Sequence, residues 1–289
     1  MDCNCLSLAE GESAHIWRAE DIGDVELLHA RYISHTFARH THDGFAVGVI
    51  EEGVEAFDYH AAHHTAPGGS IVVFNPGEVH TGESATREGW RFRMFYFDPA
   101  ILQRAASEFS GSQRDIPFFA QPVIRDESLF QSLRQLHCCL EAESLALERE
   151  SRFLLTLAQL AVRHADDRPS ADTVGHEPGA VRKARRYLED RYMENVTLHE
   201  LVQLTGLSAF HLLRVFRHAT GMPPHLYLEQ VRVHRARKLL RSGSSIADVS
   251  TLTGFADQSH FTRHFKRMTG VTPGQYRKIA ISFKTTPSA

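Results

Sequence analysis

Residues 1–179 of this 289-residue chain contain no lysine: their 14 basic residues are all arginine and face 28 Asp and Glu, a net of −14. Residues 180–289 hold 18 Lys and Arg against 7 acids, a net of +11, so the overall charge of −3 hides a division. Such asymmetry points to a nucleic-acid-binding half joined to an acidic partner half. Cysteine is scarce as well: Cys3, Cys5, Cys138 and Cys139 are all there is. Two close pairs make no disulfide framework, and a lone C-x-C is too little for a structural zinc site. The reducing cytoplasm is the expected compartment. No window approaches eighteen consecutive apolar residues, which excludes a membrane-spanning helix. The first residues, MDCNCLSLAEGESAHIW, lack the basic start and apolar run of a secretory signal. Hydrophobic content of 42% and charged content of 23% are ordinary for a globular protein, and the length suits two domains.

The stretch DDRPSADTVGHEPG, residues 166–179, has no periodicity and reads as a linker between domains at 1–165 and 180–284. Upstream, residues 25–97 alternate short apolar runs with Gly and Pro turns: GFAVGVIEEG, EAFDYH, PGGSIVVFNPGEVH, WRFRMFYF. That pattern predicts a small β-barrel or sandwich. Leu129, Leu133, Leu136 and Leu140, then Phe153, Leu154, Leu157 and Leu160, give residues 126–165 the periodicity of a helix pair. Beyond the linker the chain reads as helical to about Ile281. The fold class is α+β in two domains, with an all-α second domain.

That helical half carries an internal repeat. Leu204-Thr205-Gly206 matches Leu252-Thr253-Gly254 at an offset of 48. Arg214, Phe216, Thr220-Gly221, Pro224 and Tyr227 match Arg263, Phe265, Thr269-Gly270, Pro273 and Tyr276 at an offset of 49. Each copy reads as helix, Gly-containing turn, helix, then Thr-Gly before Pro, with Ser208 and Asp257 as N-caps of the second helices. This is helix-turn-helix grammar twice, about 198–221 and about 246–270, around a connecting helix about 225–241.

The second helix of such a unit enters the major groove. In copy one, Leu212, Val215 and Phe216 are expected to face the core, and Phe210, Leu213, Arg214 and Arg217 to face outward. Leu213 would suit a thymine methyl and Arg214 a guanine. In copy two, Phe261, Phe265 and Met268 share one face, and Gln258, Ser259, His260 and Arg263 are expected at the base edges. Thr262, Lys266 and Arg267 read as phosphate contacts, which position without specifying. A connecting helix of eighteen residues spans ~27 Å at ~1.5 Å per residue, near the ~34 Å of one DNA turn.

Residues 180–281 resemble the DNA-binding domain of AraC/XylS-type transcription regulators. The signature is IADVSTLTGFADQSHFTRHFKRMTGVTPGQYR, with Gly-Phe at the turn, Phe-x-x-x-Phe-Lys across the recognition helix and Gly-x-x-Pro-x-x-Tyr-Arg at the end. The resemblance implies a seven-helix unit that binds double-stranded promoter DNA and activates transcription through contacts with RNA polymerase. FARHTHDGFAVGVIEEG and PGGSIVVFNPGEVH resemble, less specifically, that family's cupin-like effector domain. It implies a small-molecule effector and a homodimer formed through helices beside the barrel, with Leu133, Leu136, Leu140, Leu154 and Leu157 as candidates.

A small barrel can enclose one ligand. His40, His42, Phe45, Tyr59, His80 and Tyr96 are the candidate effector contacts, with Arg91 and Arg93 as further polar groups. Alternation alone does not decide which face of each strand points inward. Cupin enzymes hold a metal through His-x-His, a nearby Glu and a later His. Here His40-x-His42 and His80 fit, but the Glu position falls on Ala46 or Val47. No cofactor, metal or catalytic residue is therefore expected; a metal, if held, would sit on those three histidines. The alternative reading is a metal-binding cupin enzyme or sensor fused to a DNA-binding domain. An alkylation-response regulator would depend on Cys3 and Cys5. His60, His63 and His64 read as a turn.

Overall fold

The computed structural model describes residues 9–142, 144–168 and 177–282. Cys3, Cys5 and residues 169–176 of the expected linker lie outside these. The chain divides into two compact units, Met1–Glu141 with Phe153–Asp172, and Ala142–Arg152 with Thr173–Ala289. Residues 142–152 thus group with the C-terminal helices, a division that linker composition does not suggest. Among the described residues no helix is long and apolar enough to cross a membrane.

The first unit is a β-sheet unit of nine strands: β1 Ser13–Ala19, β2 Val25–Tyr32, β3 Phe37–His40, β4 Phe45–Tyr59, β5 Ala62–Pro67, β6 Ile71–Phe74, β7 His80–Ser84, β8 Trp90–Phe97 and β9 Val123–Ile124. One ladder runs β1-β2-β8-β4-β6-β9, and β3, β7 and β5 pair around the second half of β4. The two edges of the long ladder do not meet, so the expected barrel is not closed by hydrogen bonds. Strand β4 carries both layers. Its register on β8 shifts between Ile50 and Glu52, where the strand bends. Gly53 makes the bend possible: its φ is +75°, and a Cβ there would lie 2.1 Å from the Gly89 carbonyl oxygen.

Strand parity sorts the apolar residues. Phe45, Val47 and Val49 on β4 join Val25, Leu27, Phe95 and Phe97 in a core with helices α1 Pro99–Ser110, α2 Glu127–Glu141 and the later turns of α3 Ala146–His164. The opposite parity, Ala46, Ile50, Phe57, Tyr59, Trp90, Phe92 and Met94, lines the space between the layers. This corrects one expectation. Leu133, Leu136, Leu140 and Leu157 are 1–3% exposed in the chain's own core, so they cover the sheet and are not available as a dimer seam. Burial of each side chain contributes about 1.5–3 kcal/mol. Leu154 is half-buried.

The second unit has seven helices from Pro178 onward among the described residues: α4 Pro178–Asp190, α5 Leu198–Thr205, α6 Ala209–Thr220, α7 Pro224–Arg241, α8 Ile246–Leu252, α9 Gln258–Thr269 and α10 Pro273–Ser282. Phe261 and Phe265 of α9 pack with Val249 of α8 and Val233, Ala236 and Leu240 of α7. Arg232 of α7 is wholly buried. Its Nε and Nη2 donate to the Tyr192 and Glu194 carbonyls at 2.7 and 2.8 Å, which locks α7 to the turn after α4.

Candidate nucleic-acid interface and effector pocket

Local chemistry starts and stops each helix of the repeat. Thr197 and Glu200 form a reciprocal capping box at α5. Ser208 caps α6 by accepting from the His211 N–H at 3.4 Å, and Asp257 caps α9 by accepting from the His260 N–H at 2.7 Å. Both second helices end on a left-handed glycine, Gly221 and Gly270, each with φ +79°. In both, the last threonine bonds backward and forward. Thr220 donates to the Phe216 and Met222 carbonyls, and Thr269 to those of Phe265 and Val271.

The structure separates the expected reading residues. On α9, Gln258, Ser259, Arg263 and Lys266 are exposed and Thr262 is half-buried, while Phe261 and Phe265 are fully buried. His260 belongs inside: it is 2% exposed and faces away from any groove. Arg267 is committed to an ion pair with Glu229 of α7, so it is not a free phosphate contact. On α6 the correction is larger. Phe210 and Leu213 are 3% and 0% exposed, leaving Arg214 half-buried and Arg217 exposed. Helix α6 therefore buries a wider arc than one amphipathic face, and Leu213 is core, not a thymine contact.

In the first unit His40, His42 and His80 do converge. Their ring centroids are 4.3–5.1 Å apart, and His42 lies 4.9 Å from Tyr96. His80 also stacks on Phe74 at 4.0 Å. The Nδ1 atoms of His40 and His80 face the Ala38 and Glu78 carbonyls at 2.8 and 3.1 Å. The three rings come close enough to share one ion. Burial pushes His80 down to about 4 and lowers His42, where His40 adds to the effect; both are neutral at pH 7. An open cleft of 690 Å³ beside them is lined by Tyr32, His35, Phe37, His42 and Tyr96.

Two expected effector contacts also serve the framework. Phe45 lines this cleft, but it has the helix-facing parity and packs its ring on Phe97 and Phe119. Tyr59 has the inner parity, but its hydroxyl accepts from Asn75 Nδ2 at 2.9 Å. The Asn75 side chain also bridges to the Phe119 backbone, so Tyr59 is tied into the framework. Reading by residue type missed Glu55. It is buried, and burial pushes its carboxyl up to about 8. Its Oε2, like the Trp90 indole nitrogen, has no hydrogen-bond partner in the protein. It shares the inward parity of Phe57 and Tyr59, but the register shift between Ile50 and Glu52 interrupts the alternation along β4, so alternation in the sequence does not place it.

Comparison with known proteins decides what this arrangement belongs to. Residues 22–157 match the AraC-like ligand binding domain, and residues 201–279 match a helix-turn-helix domain. The uncharacterized HTH-type transcriptional regulator YbfI of Bacillus subtilis (strain 168) is 36% identical over 236 residues, 82% of this chain and 85% of YbfI. This chain belongs to the AraC family of transcriptional regulators. Another relative, the HTH-type transcriptional activator RhaS of Yersinia pestis (strain Pestoides F), is 27% identical, with 86% of this chain and 92% of RhaS covered. Among solved structures, ToxT from Vibrio cholerae is 12% identical with a TM-score of 0.36, covering 93% of this chain and 98% of ToxT. The C-terminal domain of AraT from Geobacillus stearothermophilus is 27% identical with a TM-score of 0.35, covering 36% of this chain and 88% of that domain. The AraC-family regulator described here thus joins a ligand-binding β-sheet domain to a DNA-binding helical one. The YbfI and RhaS relatives are named as regulators of transcription, not as enzymes.

Proposed function

We propose that this AraC-family regulator reads an asymmetric promoter site through α6 and α9, under control of a small uncharged effector in the β-sheet unit. The observation that carries the first part is the two-sidedness of α9. Phe261 and Phe265 anchor it, while Gln258, Ser259, Arg263 and Lys266 line its open face. Gln258 can pair with adenine and Arg263 with guanine, while Thr262 and Lys266 suit phosphates. On α6, Arg214 and Arg217 are the matching contacts.

The effector reading rests on the neutral interior. A protonated Glu55, neutral His42 and His80, and the phenol of Tyr96 offer hydrogen bonds without net charge. A compact polar, uncharged molecule would satisfy the unpartnered Glu55 and Trp90 atoms. It shifts DNA binding only through its differential affinity for two arrangements of the protein. The activator name of the RhaS relatives supports activation; contact with RNA polymerase and action as a homodimer in the cytoplasm are further parts of the proposal.

Selection of bound genomic fragments with the purified protein tests the DNA part. Arg263→Ala should relax preference at one base position by ~1–3 kcal/mol, whereas Lys266→Ala should weaken all sequences alike. An Arg263→Ala protein with unchanged preference would show that α9 does not present this face to the bases.

A further inference from the structure

The histidine that turned away from the reading face has company. His260 and His264 stand one turn apart on the back of α9, 2% and 3% exposed, with ring centroids 4.2 Å apart. Glu148, 6% exposed, completes a group whose ligand atoms all lie within 4.8 Å of one another. Glu148 belongs to the same unit as α9.

Hydrogen bonding leaves the inner atoms of this group open. Neither ring nitrogen of His260 has a hydrogen-bond partner, although both are shielded from solvent. Its Nε2 is 3.8 Å from Glu148 Oε2, too far for a hydrogen bond. The other carboxylate oxygen of Glu148 accepts from Arg152 Nε at 2.9 Å, which turns Oε2 toward His260. On the far side, Glu229 Oε2 sits 2.9 Å from His264 Nδ1 and also pairs with Arg267. Arg267 Nη2 donates to that same Nδ1 at 3.3 Å, so the outer partners of His264 gather at Nδ1 and orient the ring, as the outer partners of metal-bound histidines do. Buried polar atoms without partners cost free energy, and a cation between them removes that cost.

We propose that Glu148, His260 and His264 form a binding site for a zinc-class divalent metal ion on the back of α9. Two imidazoles spaced i, i+4 on a helix, plus a carboxylate from another, suit Zn²⁺ or Co²⁺ at ~2.0–2.2 Å. Mg²⁺ and Ca²⁺ prefer all-oxygen shells. Tetrahedral ligands at such bond lengths lie ~3.3–3.6 Å from one another, so the ligand atoms, now within 4.8 Å, must draw together on binding. Arg152 and Arg267 orient the two carboxylates and add positive charge nearby, so only a strongly held ion would occupy the site.

The test uses the full chain, stripped with chelator and titrated with Zn²⁺ and Co²⁺. His40→Asn/His42→Asn removes the other histidine cluster and should leave one tightly bound ion and a low-coordinate Co²⁺ absorption band. Glu148→Gln and His264→Gln should each weaken that ion at least tenfold. Binding that vanishes in the His40→Asn/His42→Asn protein, or that survives Glu148→Gln and His264→Gln unchanged, overturns the proposal. Should those two variants not fold, X-ray absorption on the zinc-loaded His40→Asn/His42→Asn protein decides. A shell of two imidazoles and a carboxylate supports the site; any other shell, or no bound zinc, overturns it.

Discussion

The two helix-turn-helix copies share a frame and differ in what they do with it. Ser208 and Asp257, Thr220 and Thr269, Gly221 and Gly270 play matched parts at the ends of α6 and α9. Between those ends the faces diverge. At the offset of 49, Phe210 and Leu213 of α6 correspond to Ser259 and Thr262 of α9. The first pair is buried, whereas Ser259 is exposed and Thr262 half-buried. Conversely, α9 buries two histidines where α6 has His211 and Val215. A repeat therefore conserves the positions that make a helix begin, stop and pack, and leaves its outward arc free to differ.

The largest test of this contrast is a pair of alanine substitutions at one repeat position. Leu213→Ala should cost about 2–5 kcal/mol of stability, as a fully buried leucine does, while Thr262→Ala should cost under about 1 kcal/mol. Urea unfolding measures both, and equal costs would erase the difference between α6 and α9. Next are the turn glycines. Gly254 has φ +75°, and a Cβ there would lie 2.7 Å from the Met193 carbonyl oxygen. Gly206 has φ +72° with open space around it. Gly254→Ala should lose about 3 kcal/mol from strain and overlap together, Gly206→Ala about 1 kcal/mol from strain alone. Matching losses would mean that the approach of the Met193 carbonyl leaves no room problem at Gly254.

The smallest contrast lies in the caps, where each substitution to Ala should cost about 1 kcal/mol or less. Backbone hydrogen bonds from His260 and then Ser259 hold the Asp257 carboxyl below its usual range. Its folded value is thus depressed, so its contribution is present above the ordinary Asp range and is lost as pH falls through the folded value. The cost of Asp257→Ala should shrink in acid, while that of Ser208→Ala should stay flat. Unfolding series at neutral and acid pH separate them; parallel pH profiles would deny Asp257 its charged role.

Much of this architecture was legible because its signals are local. Caps, Thr-Gly stops and Phe spacing act within one turn, so the repeat, the helix boundaries and the buried back of α9 could be read in order. The misreadings concern what packs from a distance. Phe210, Leu212, Leu213, Val215 and Phe216 fill five of seven positions, too broad an arc for one face. Their shared frame with α9 nonetheless suggested a shared outward side. The leucines of α2 and α3 have a periodicity that fits covering a sheet as well as meeting a second chain. Within the β-sheet unit, the histidines converge as motif spacing implied. Phe45, however, was chosen by residue type, and the face that Glu55 shares with Phe57 and Tyr59 is fixed only once the strands are paired.

Strand β4 has a practical consequence for anyone wishing to divide or splice the ligand-binding unit. Its first half, through Gly53, is hydrogen-bonded to β6 and β8 and its second to β5 and β7, with Gly53 as the bend. A break near that glycine would strip a strand from each layer at once. Neither fragment would retain a complete sheet. The two layers should therefore melt together, as one cooperative step, and foreign sequence is better inserted in a connecting turn than anywhere along residues 45–59.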